Sequence, residues 1–152
     1  METIKIRVKK LDPEALIPEY AHGPSEDAGM DLCALEDVII PGQSTVTTLV
    51  RTGLAFELPA GVEMQIRPRS GLSNKRGLII PNSPGTVDPG YRGEVLVGFA
   101  CIYPQGYQIK KGDRIAQIVF SNYVAADLIR VEELSDSARG IGGFGSTGGK
   151  SL

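Results

Sequence analysis

The chain has 152 residues, of which 41% are hydrophobic and 22% charged, a length and composition typical of one globular domain. Its formal net charge of -2 excludes a general electrostatic attraction to nucleic acid or to a membrane surface. Two cysteines, Cys33 and Cys101, are too few for a secreted disulfide framework and favour the reducing cytoplasm. The N-terminus lacks the apolar core of a signal peptide, and no apolar run approaches the roughly 18 residues of a membrane span.

Short strands separated by tight turns dominate the pattern. The chain contains 19 glycines and 10 prolines, which indicates many turns. Apolar and charged residues alternate from Ile4 to Lys9, as in a half-buried strand. Further strand-like runs rich in Val, Ile, Thr and Phe occupy 37–40, 44–50, 53–58, 62–66, 78–80, 93–103 and 114–124. The pattern therefore predicts an all-β, jelly-roll-like sandwich or barrel.

One short helix and a glycine-rich end complete the pattern. The spacing predicts a helix over 70–75, capped by Ser70 and ending near Gly77. The last segment, 139–149, reads RGIGGFGSTGG and has little to bury, so it is either a disordered tail or a flap. We therefore divide the chain into a β domain at 1–138 and a flexible arm at 139–152.

The richest candidate site is the segment 82–94, NSPGTVDPGYRGE. Two Pro-Gly pairs bracket Asp88, and Tyr91 follows as the chain re-enters a strand. The segment predicts a hairpin whose tip displays a carboxylate and a phenol. An ordinary hairpin with common turn residues explains the same letters equally well.

A second segment, 67–75, reads RPRSGLSNK and suits a phosphate. Arg69 supplies a cation, Ser70 a hydroxyl, and Ser70 and Gly71 offer free backbone N–H groups at the predicted helix start. The alternative is a capped helix with solvated arginines.

Two further segments place polar side chains among apolar ones. In 28–34, AGMDLCA, Asp31 must face solvent, pair with a cation or help to hold a metal, because an unpaired buried charge is costly. In 112–120, GDRIAQIVF, strict alternation puts Ile115, Gln117 and Val119 on one face, so Gln117 needs a partner. For both, the alternative is a satisfied polar group at the rim of the sheet.

The glycine-rich end has the composition of a polyanion-binding segment. Arg139 offers a guanidinium, Ser146 and Thr147 offer hydroxyls, and Phe144 offers a flat face for a base. The GxxxxGK[ST] spacing of a Walker loop is missing, and composition alone favours a linker.

Together the five segments indicate a nucleoside triphosphate site. In their order and spacing, AGMDLCA, RPRSGLSNK, NSPGTVDPGYRGE, GDRIAQIVF and RGIGGFGSTGG closely resemble the five motifs of the trimeric deoxyuridine triphosphatase family. The resemblance covers residues 4 to 149, nearly the whole chain.

The resemblance implies a β jelly roll that forms a homotrimer, with each active site shared between subunits and closed by the C-terminal arm of another chain. It makes Asp88 the catalytic residue that activates water, and Tyr91 the residue that excludes a 2′-hydroxyl. Uracil recognition falls to Asn82, Thr86, Val87 and Leu96, with Phe144 stacked on the ring. Phosphate binding falls to Arg69, Ser70, Gly71, Gln117, Arg139, Gly145, Ser146 and Thr147.

The implied reaction is attack of water at the α-phosphorus of dUTP, which yields dUMP and pyrophosphate. One Mg²⁺ would be held mainly by phosphate oxygens and waters, with Asp31 acting through water. Such an enzyme limits uracil incorporation into DNA and supplies dUMP for thymidylate synthesis.

Three other functions remain open at this point. A dCTP deaminase of the same fold needs a glutamate that protonates cytosine, and Glu94 is the acidic residue besides Asp88 in the hairpin. A nucleotide-responsive interaction module would bind a partner protein. A structural jelly roll with a disordered tail would do no chemistry.

Overall fold

A computed structural model describes residues 3–44 and 46–142 of the chain. Within them the order of elements is β1 (Arg7–Lys10), β2 (Met30–Cys33), β3 (Val38–Ile40), β4 (Thr48–Arg51), β5 (Leu54–Glu57), β6 (Val62–Pro68), α1 (Ser70–Arg76), β7 (Leu78–Ile79), β8 (Gly85–Val87), β9 (Leu96–Cys101), β10 (Tyr107–Ile109) and β11 (Arg114–Asn122). This succession of strands with one short helix confirms the predicted fold class. In the described part, no helix is long and apolar enough to cross a membrane.

The strands form four antiparallel sheets around one core. The sheet that carries most of the candidate site has the order β2-β11-β6-β8, and a second has the order β4-β9-β7. Two-stranded sheets β1-β5 and β10-β3 complete the structure. Every sheet contributes side chains to a single buried cluster, whose fully buried members include Leu32, Ile40, Leu54, Met64 and Phe99. Burial of this apolar surface is the main contribution to stability.

Several strands differ in length from their sequence patterns. The run predicted at 93–103 forms a strand only from Leu96 to Cys101, where its pairing with β4 begins at Leu96, and Val95 instead donates its N–H to Leu54 O (2.8 Å). The strand β10 was not predicted, since three residues between two turns are too few to show alternation. It pairs with β3, so that Gln108 lies opposite Ile39.

A β-bulge changes the faces of β11. The expectation that Ile115 shares a face with Gln117 and Val119 is wrong, because the register shifts between Arg114 and Ala116. Ile115 and Ala116 are both buried, while Gln117 and Val119 lie on the opposite face and are half-buried. An extra residue in one strand of a pair interrupts the alternation of side chains between the two faces of the sheet.

The residue that caps the start of the helix differs from the predicted one. Arg69 is the N-cap residue and makes no side-chain cap hydrogen bond, so the assignment of Ser70 as the cap is wrong. Gly77 ends the helix in the left-handed conformation, with φ 66°, as glycine at this position commonly does. Because Arg69 precedes the helix with an extended backbone (ψ 128°), its side chain points away from the helix axis and toward β2.

Candidate functional site

A cavity of about 220 Å³ lies against the segment that joins β8 to β9. It is lined by six of the residues that the sequence assigned to the substrate, namely Asn82, Thr86, Val87, Asp88, Tyr91 and Leu96. A second cavity of about 270 Å³ adjoins it, and the two share the lining residues Ile66, Asn82, Gly85 and Leu96. The expectation of a hairpin is wrong as a strand pairing, because β8 pairs with β6 while β9 pairs with β4 and β7, so the segment connects two different sheets. We define the hairpin segment, or hairpin for short, as this connection, residues 82–96. The fold gathers its residues around one concave surface.

Pairing of β8 with β6 places the residues at the start of this hairpin. Thr86 lies opposite Gln65 and is exposed, whereas Val87 lies opposite Met64 and is buried. Asp88 follows directly and is exposed at the cavity. The N–H of Tyr91 donates to the Asp88 carbonyl at 3.1 Å and closes a turn.

The Tyr91 ring is held by the backbone that follows it. Its hydroxyl donates to the carbonyl oxygen of Glu94 at 2.9 Å. Gly93 leaves room for the ring, because a Cβ there would lie 2.5 Å from the Tyr91 hydroxyl oxygen. The phenol thus has a defined place at the rim of the cavity.

Four other residues line the cavity without having been assigned to the site. Gly85, Glu94 and Val95 belong to the same hairpin, so their proximity was readable from the segment itself. Ile66 comes from β6, on the neighbouring strand, opposite Gly85. No sequence spacing reveals such a contact, which depends on strand register.

The other assigned residues of the β domain meet at a separate place. Asp31 Oδ1 lies 2.8 Å from Arg69 Nε, and Asp31 Oδ2 lies 3.7 Å from Arg114 Nη1. Arg69 Nη1 also donates to the Arg114 carbonyl at 3.2 Å. Of the three environments expected for Asp31, the structure shows pairing with cations. Each guanidinium group has more N–H donors than the contacts to Asp31 use, and such donors suit an anion. Asp113 lines a cavity together with the same two arginines.

Gln117 completes this cationic cluster, which we define as Asp31, Arg69, Arg114 and Gln117. Gln117 lies opposite Asp31 in the ladder, and its Nε2 donates to the Pro68 carbonyl at 3.0 Å. Its side chain therefore has the partner that its position requires. Gly29 makes space beside it, since a Cβ at Gly29 would lie 3.0 Å from Gln117 Oε1.

Ser70 and Gly71 are exposed in the first turn of α1, next to the cationic cluster. The first N–H groups of a helix have no intrahelical acceptor and are available to an anion. Their position is compatible with the phosphate role that the sequence assigned to them.

Cys33 lies close to the same cluster. Burial raises the pKa of its thiol, and the negative charge of Asp31 raises it further. The thiol therefore remains protonated near neutral pH and is a poor nucleophile. Both Cys33 and Cys101 are free cysteines.

Within one chain the hairpin cavity and the cationic cluster are far apart. Asp88 follows Val87, which lies opposite Met64 near the start of β6, whereas Arg69 follows the end of that strand. Five steps along the chain lead from Met64 to Arg69, a rise of about 17 Å in extended strand. The side chains assigned to water activation and to phosphate binding therefore do not meet in a single subunit.

Of the assigned residues of the C-terminal arm, the structure describes Arg139, which joins neither place. Arg139 Nε donates to the Gly142 carbonyl at 2.8 Å, within a local turn. The chain is exposed from Asn122 to Ile141. Phe144, Gly145, Ser146 and Thr147 lie outside the described residues.

The side chains available for a metal are few. In residues 3–44 and 46–142, no three His, Cys, Asp or Glu side chains come together as a ligand set. Both Asp31 oxygens face guanidinium groups. This donor set fits an ion whose ligands are mainly phosphate oxygens and waters, as Mg²⁺ prefers.

Comparison with known proteins points in one direction. The family model described as dUTPase matches residues 16–148. The chain is 52% identical over 146 residues to the deoxyuridine 5'-triphosphate nucleotidohydrolase of Solibacter usitatus, covering 95% of this chain and 97% of the relative. It is 53% identical over 146 residues to that of Nautilia profundicola, covering 95% and 99%.

Solved structures agree with these sequence matches. The dUTPase of Staphylococcus bacteriophage 80alpha with dUPNHPP superposes with a TM-score of 0.85 at 30% identity, covering 96% of this chain and 99% of that one. A mutant dUTPase from phage phi11 of S. aureus, which coordinates a structural Mg(II) ion, superposes with a TM-score of 0.76 at 28% identity, covering 86% and 98%.

Proposed function

The chain belongs to the dUTPase family of enzymes, and from this premise we propose that it hydrolyses dUTP to dUMP and pyrophosphate. The observation that carries the proposal is the cavity in which Asp88 and Tyr91 adjoin Asn82, Thr86 and Leu96. A carboxylate, a phenol and backbone amides on one concave surface are the groups needed to activate water, to pack against a sugar and to read a base.

Base selectivity would come from the backbone of the hairpin. The N–H and carbonyl groups near Thr86, Val87 and Leu96, with the Asn82 amide, pair with the uracil edge. Cytosine presents the opposite pattern of donors and acceptors at that edge, so it leaves buried groups unpaired and is rejected. Thymine is rejected because its methyl group finds no room in the same slot.

Sugar selectivity would come from Tyr91. The hydrogen bond from its hydroxyl to the Glu94 carbonyl holds the ring at the cavity rim. A ring held in this way packs against the deoxyribose and collides with a 2′-hydroxyl. UTP would therefore bind poorly.

Asp88 would act as the general base. Its carboxylate is exposed at the cavity, where it orients a water molecule and accepts its proton as the water oxygen attacks the α-phosphorus. The bond from that phosphorus to the bridging oxygen breaks, and pyrophosphate leaves with the electron pair. Loss of a positioned general base costs about a hundredfold or more in rate.

The triphosphate would be held by the cationic cluster and by the helix start. Arg69 and Arg114 face its negative charge, Ser70 and Gly71 donate N–H groups, and Gln117 lies beside them. We assign the remaining phosphate contacts to Arg139, Gly145, Ser146 and Thr147, and the base stack to Phe144. Mg²⁺, when bound, would neutralise charge on the phosphates, and Asp31 would contact it through water.

We further propose that the enzyme is a homotrimer with shared sites. The rise of about 17 Å along β6 from Met64, which lies opposite the residue before Asp88, to Arg69 supports this, because the hairpin of one chain needs the cationic cluster of a neighbour. Apolar side chains that follow β11 are largely exposed: Val124 (92%), Leu128 (91%) and Leu134 (87%). Exposed apolar surface of this kind indicates a contact with another chain. The arm 139–152 would then close over a neighbouring site.

In the cell, the reaction would limit uracil incorporation into DNA and supply dUMP for thymidylate synthesis. A cytoplasmic location fits two free cysteines, which persist as thiols in a reducing compartment.

The decisive experiment is a pyrophosphate-release assay with dUTP, UTP, dTTP and dCTP in the presence of Mg²⁺. We expect turnover of dUTP and little turnover of the other three. Ammonia release from dCTP would instead identify a deaminase, and absence of any turnover would favour a binding module or a structural protein.

A matched pair of variants connects the activity to the cavity. Asp88→Asn should retain binding of a non-hydrolysable dUTP analogue while hydrolysis falls by about a hundredfold or more. Glu36→Gln, which removes an exposed carboxylate outside both clusters, should leave hydrolysis unchanged. Full turnover by Asp88→Asn would contradict the assigned mechanism.

A further inference from the structure

Glu94 lines the hairpin cavity, yet the proposed reaction gives its side chain no part. Its carboxylate is not free. Both of its oxygens lie 3.2 Å from Arg51 Nε, and Oε1 also accepts the backbone N–H of Gly53 at 2.8 Å. The Glu94 side chain is 19% exposed and that of Arg51 is 45% exposed, so the carboxylate is largely shielded from water while the guanidinium is open to it.

We propose that Glu94 is a positioning residue which, through Arg51 and Gly53, fixes the Tyr91 phenol and thereby sets discrimination between deoxyribose and ribose. The inference rests on the proposed function, because it concerns the sugar of the same substrate. It adds two residues, Arg51 and Glu94, to those on which specificity depends.

Glu94 joins two networks through one residue. Its carbonyl oxygen accepts the Tyr91 hydroxyl at 2.9 Å, while its carboxylate is bound to the end of β4 and to the residue before β5. When the Glu94 carboxylate is displaced, we therefore expect the Glu94 carbonyl, which accepts the hydrogen bond of the Tyr91 hydroxyl, to shift with it. Arg51 is therefore connected to the Tyr91 ring through a single residue, Glu94, by one hydrogen-bonded ion pair and one hydrogen bond.

The residue after Glu94 is fixed to the same segment. Val95 donates its N–H to Leu54 O at 2.8 Å, and its carbonyl accepts the hydroxyl of the fully buried Thr52 at 2.7 Å. The segment 51–54 thus holds residues 94 and 95 by side chain and by backbone. This makes it a rigid support for the second limb of the hairpin.

Gly53 has the conformation that this support requires. Its φ is +70°, a value that favours glycine, and a Cβ there would lie 2.8 Å from the Cβ of Ala15. With this backbone, the Gly53 N–H points to Glu94 while its carbonyl accepts the N–H of Leu11 at 2.8 Å. A carboxylate that accepts both a guanidinium and a backbone N–H is held by charge-assisted hydrogen bonds, the stronger kind.

Another arginine–glutamate pair, with the same nitrogen–oxygen distances, serves as a control. Arg7 Nη1 lies 3.2 Å from both Glu57 oxygens, on strands β1 and β5. The side chains of Arg7 and Glu57 are 83% and 45% exposed, and such surface pairs contribute little. Glu57 is absent from the cavity lining, so its removal tests what losing an ion pair does by itself.

The test compares Glu94→Ala, Glu94→Gln and Arg51→Ala with Glu57→Gln, using kcat and KM for both dUTP and UTP. We expect Glu94→Ala to lower the ratio of kcat/KM for dUTP to that for UTP by at least about fivefold, the scale of one hydrogen bond. Glu94→Gln should fall between Glu94→Ala and the wild type, because its amide oxygen still accepts the Gly53 N–H. Glu57→Gln should leave the ratio unchanged.

Circular dichroism and thermal melting establish which variants are folded, and Arg51→Ala carries the test if Glu94→Ala is not. An unchanged ratio in the folded variants, or an equal loss for dUTP and UTP, would overturn the inference while wild-type hydrolysis of dUTP upholds the proposed function. A wild-type protein that does not hydrolyse dUTP would refute both.

Discussion

Asp31 Oδ1 and Arg69 Nε lie 2.8 Å apart and connect β2 to the start of α1. Both side chains are partly exposed, 22% for Asp31 and 32% for Arg69. The pair orients the guanidinium before any anion arrives, so less conformational freedom is lost when a phosphate binds. Arg114 Nη1, at 3.7 Å from Oδ2 of the same carboxylate, places a second guanidinium group beside the pair.

Replacing Asp31 with asparagine should therefore impair phosphate positioning. Arg69 loses its charged partner, and we expect kcat/KM for dUTP to fall between about tenfold and a hundredfold, the range that misplacement of reacting groups costs. Steady-state kinetics with Glu57→Gln as the control measure the effect. A value of kcat/KM equal to that of the wild type would show that the pair has no part in catalysis.

The same substitution should make Cys33 more reactive. Burial raises the pKa of the Cys33 thiol, and the charge of Asp31 raises it further, while Arg114 and Arg69 lower it. Removing the negative charge lowers the pKa and increases the thiolate fraction at a given pH. Alkylation by iodoacetamide, followed at the Cys33 peptide by mass spectrometry across pH 7 to 10, should proceed faster in Asp31→Asn. Equal rates in the two proteins would contradict this account.

Gly93→Ala should weaken sugar discrimination by displacing the Tyr91 ring. A Cβ at Gly93 would lie 2.5 Å from the Tyr91 hydroxyl oxygen, whereas a Cβ at Gly90 meets nothing within 4 Å. We expect Gly93→Ala to lower the preference for dUTP over UTP by about fivefold or more, as for loss of a hydrogen bond. Gly90→Ala, in the same hairpin, is the control and should retain the preference. Identical preferences in both variants would speak against the assigned role of the ring.

Stability in acid should depend on Asp37. The Lys111 N–H and the Lys110 ammonium group bind its carboxylate and lower its pKa in the folded protein. A carboxyl group with a lowered pKa stabilises the fold above its unfolded pKa of about 3.9 and loses this contribution as the pH falls further. Asp37→Asn should therefore flatten the dependence of Tm on pH below about pH 4. Glu36→Gln is the control, and an unchanged slope in Asp37→Asn would refute the prediction.

Shared active sites predict complementation between two inactive chains. Asp88→Asn and Arg69→Ala each lack one half of a site, and after co-refolding in equal amounts about a quarter of the sites should combine an intact Asp88 with a neighbour's intact Arg69. Activity of the mixture should therefore rise well above that of either variant alone. Sedimentation should give three times the chain mass. A mixture no more active than its components would argue for sites within single chains.

The residues of segment 82–96 were predictable because they lie close together along the chain. Segment 82–96 contains Asn82, Asp88, Tyr91 and Leu96, and turn residues between them bring the chain back on itself. Local sequence therefore predicted the turns and the groups that they display, but not that β8 and β9 pair in different sheets. The all-β class was predictable for a similar reason, since alternation is a property of neighbouring residues.

Other relationships depend on contacts that no spacing encodes. The bulge at Arg114 to Ala116 changes which residues of β11 face the core, because strand pairing and not alternation sets the register. Arg51 was not recognised in the sequence, since its partner Glu94 is 43 residues away along the chain and is brought near it by the pairing of β4 with β9. Likewise, serine is a residue type that commonly caps helices, but the backbone conformation makes Arg69, and not Ser70, the N-cap residue.

Sequence by itself determined the fold class, the order of five motifs and the family to which they belong, because these depend on residue types and on short separations along the chain. Tertiary structure alone decided that Asp31 pairs with Arg69, that Glu94 is bound to Arg51, and that the Asp88 segment and Arg69 lie toward opposite ends of β6. The physical reason is that sheet register and side-chain direction are set by packing between distant segments, which minimises the free energy of the whole domain and not that of any one motif.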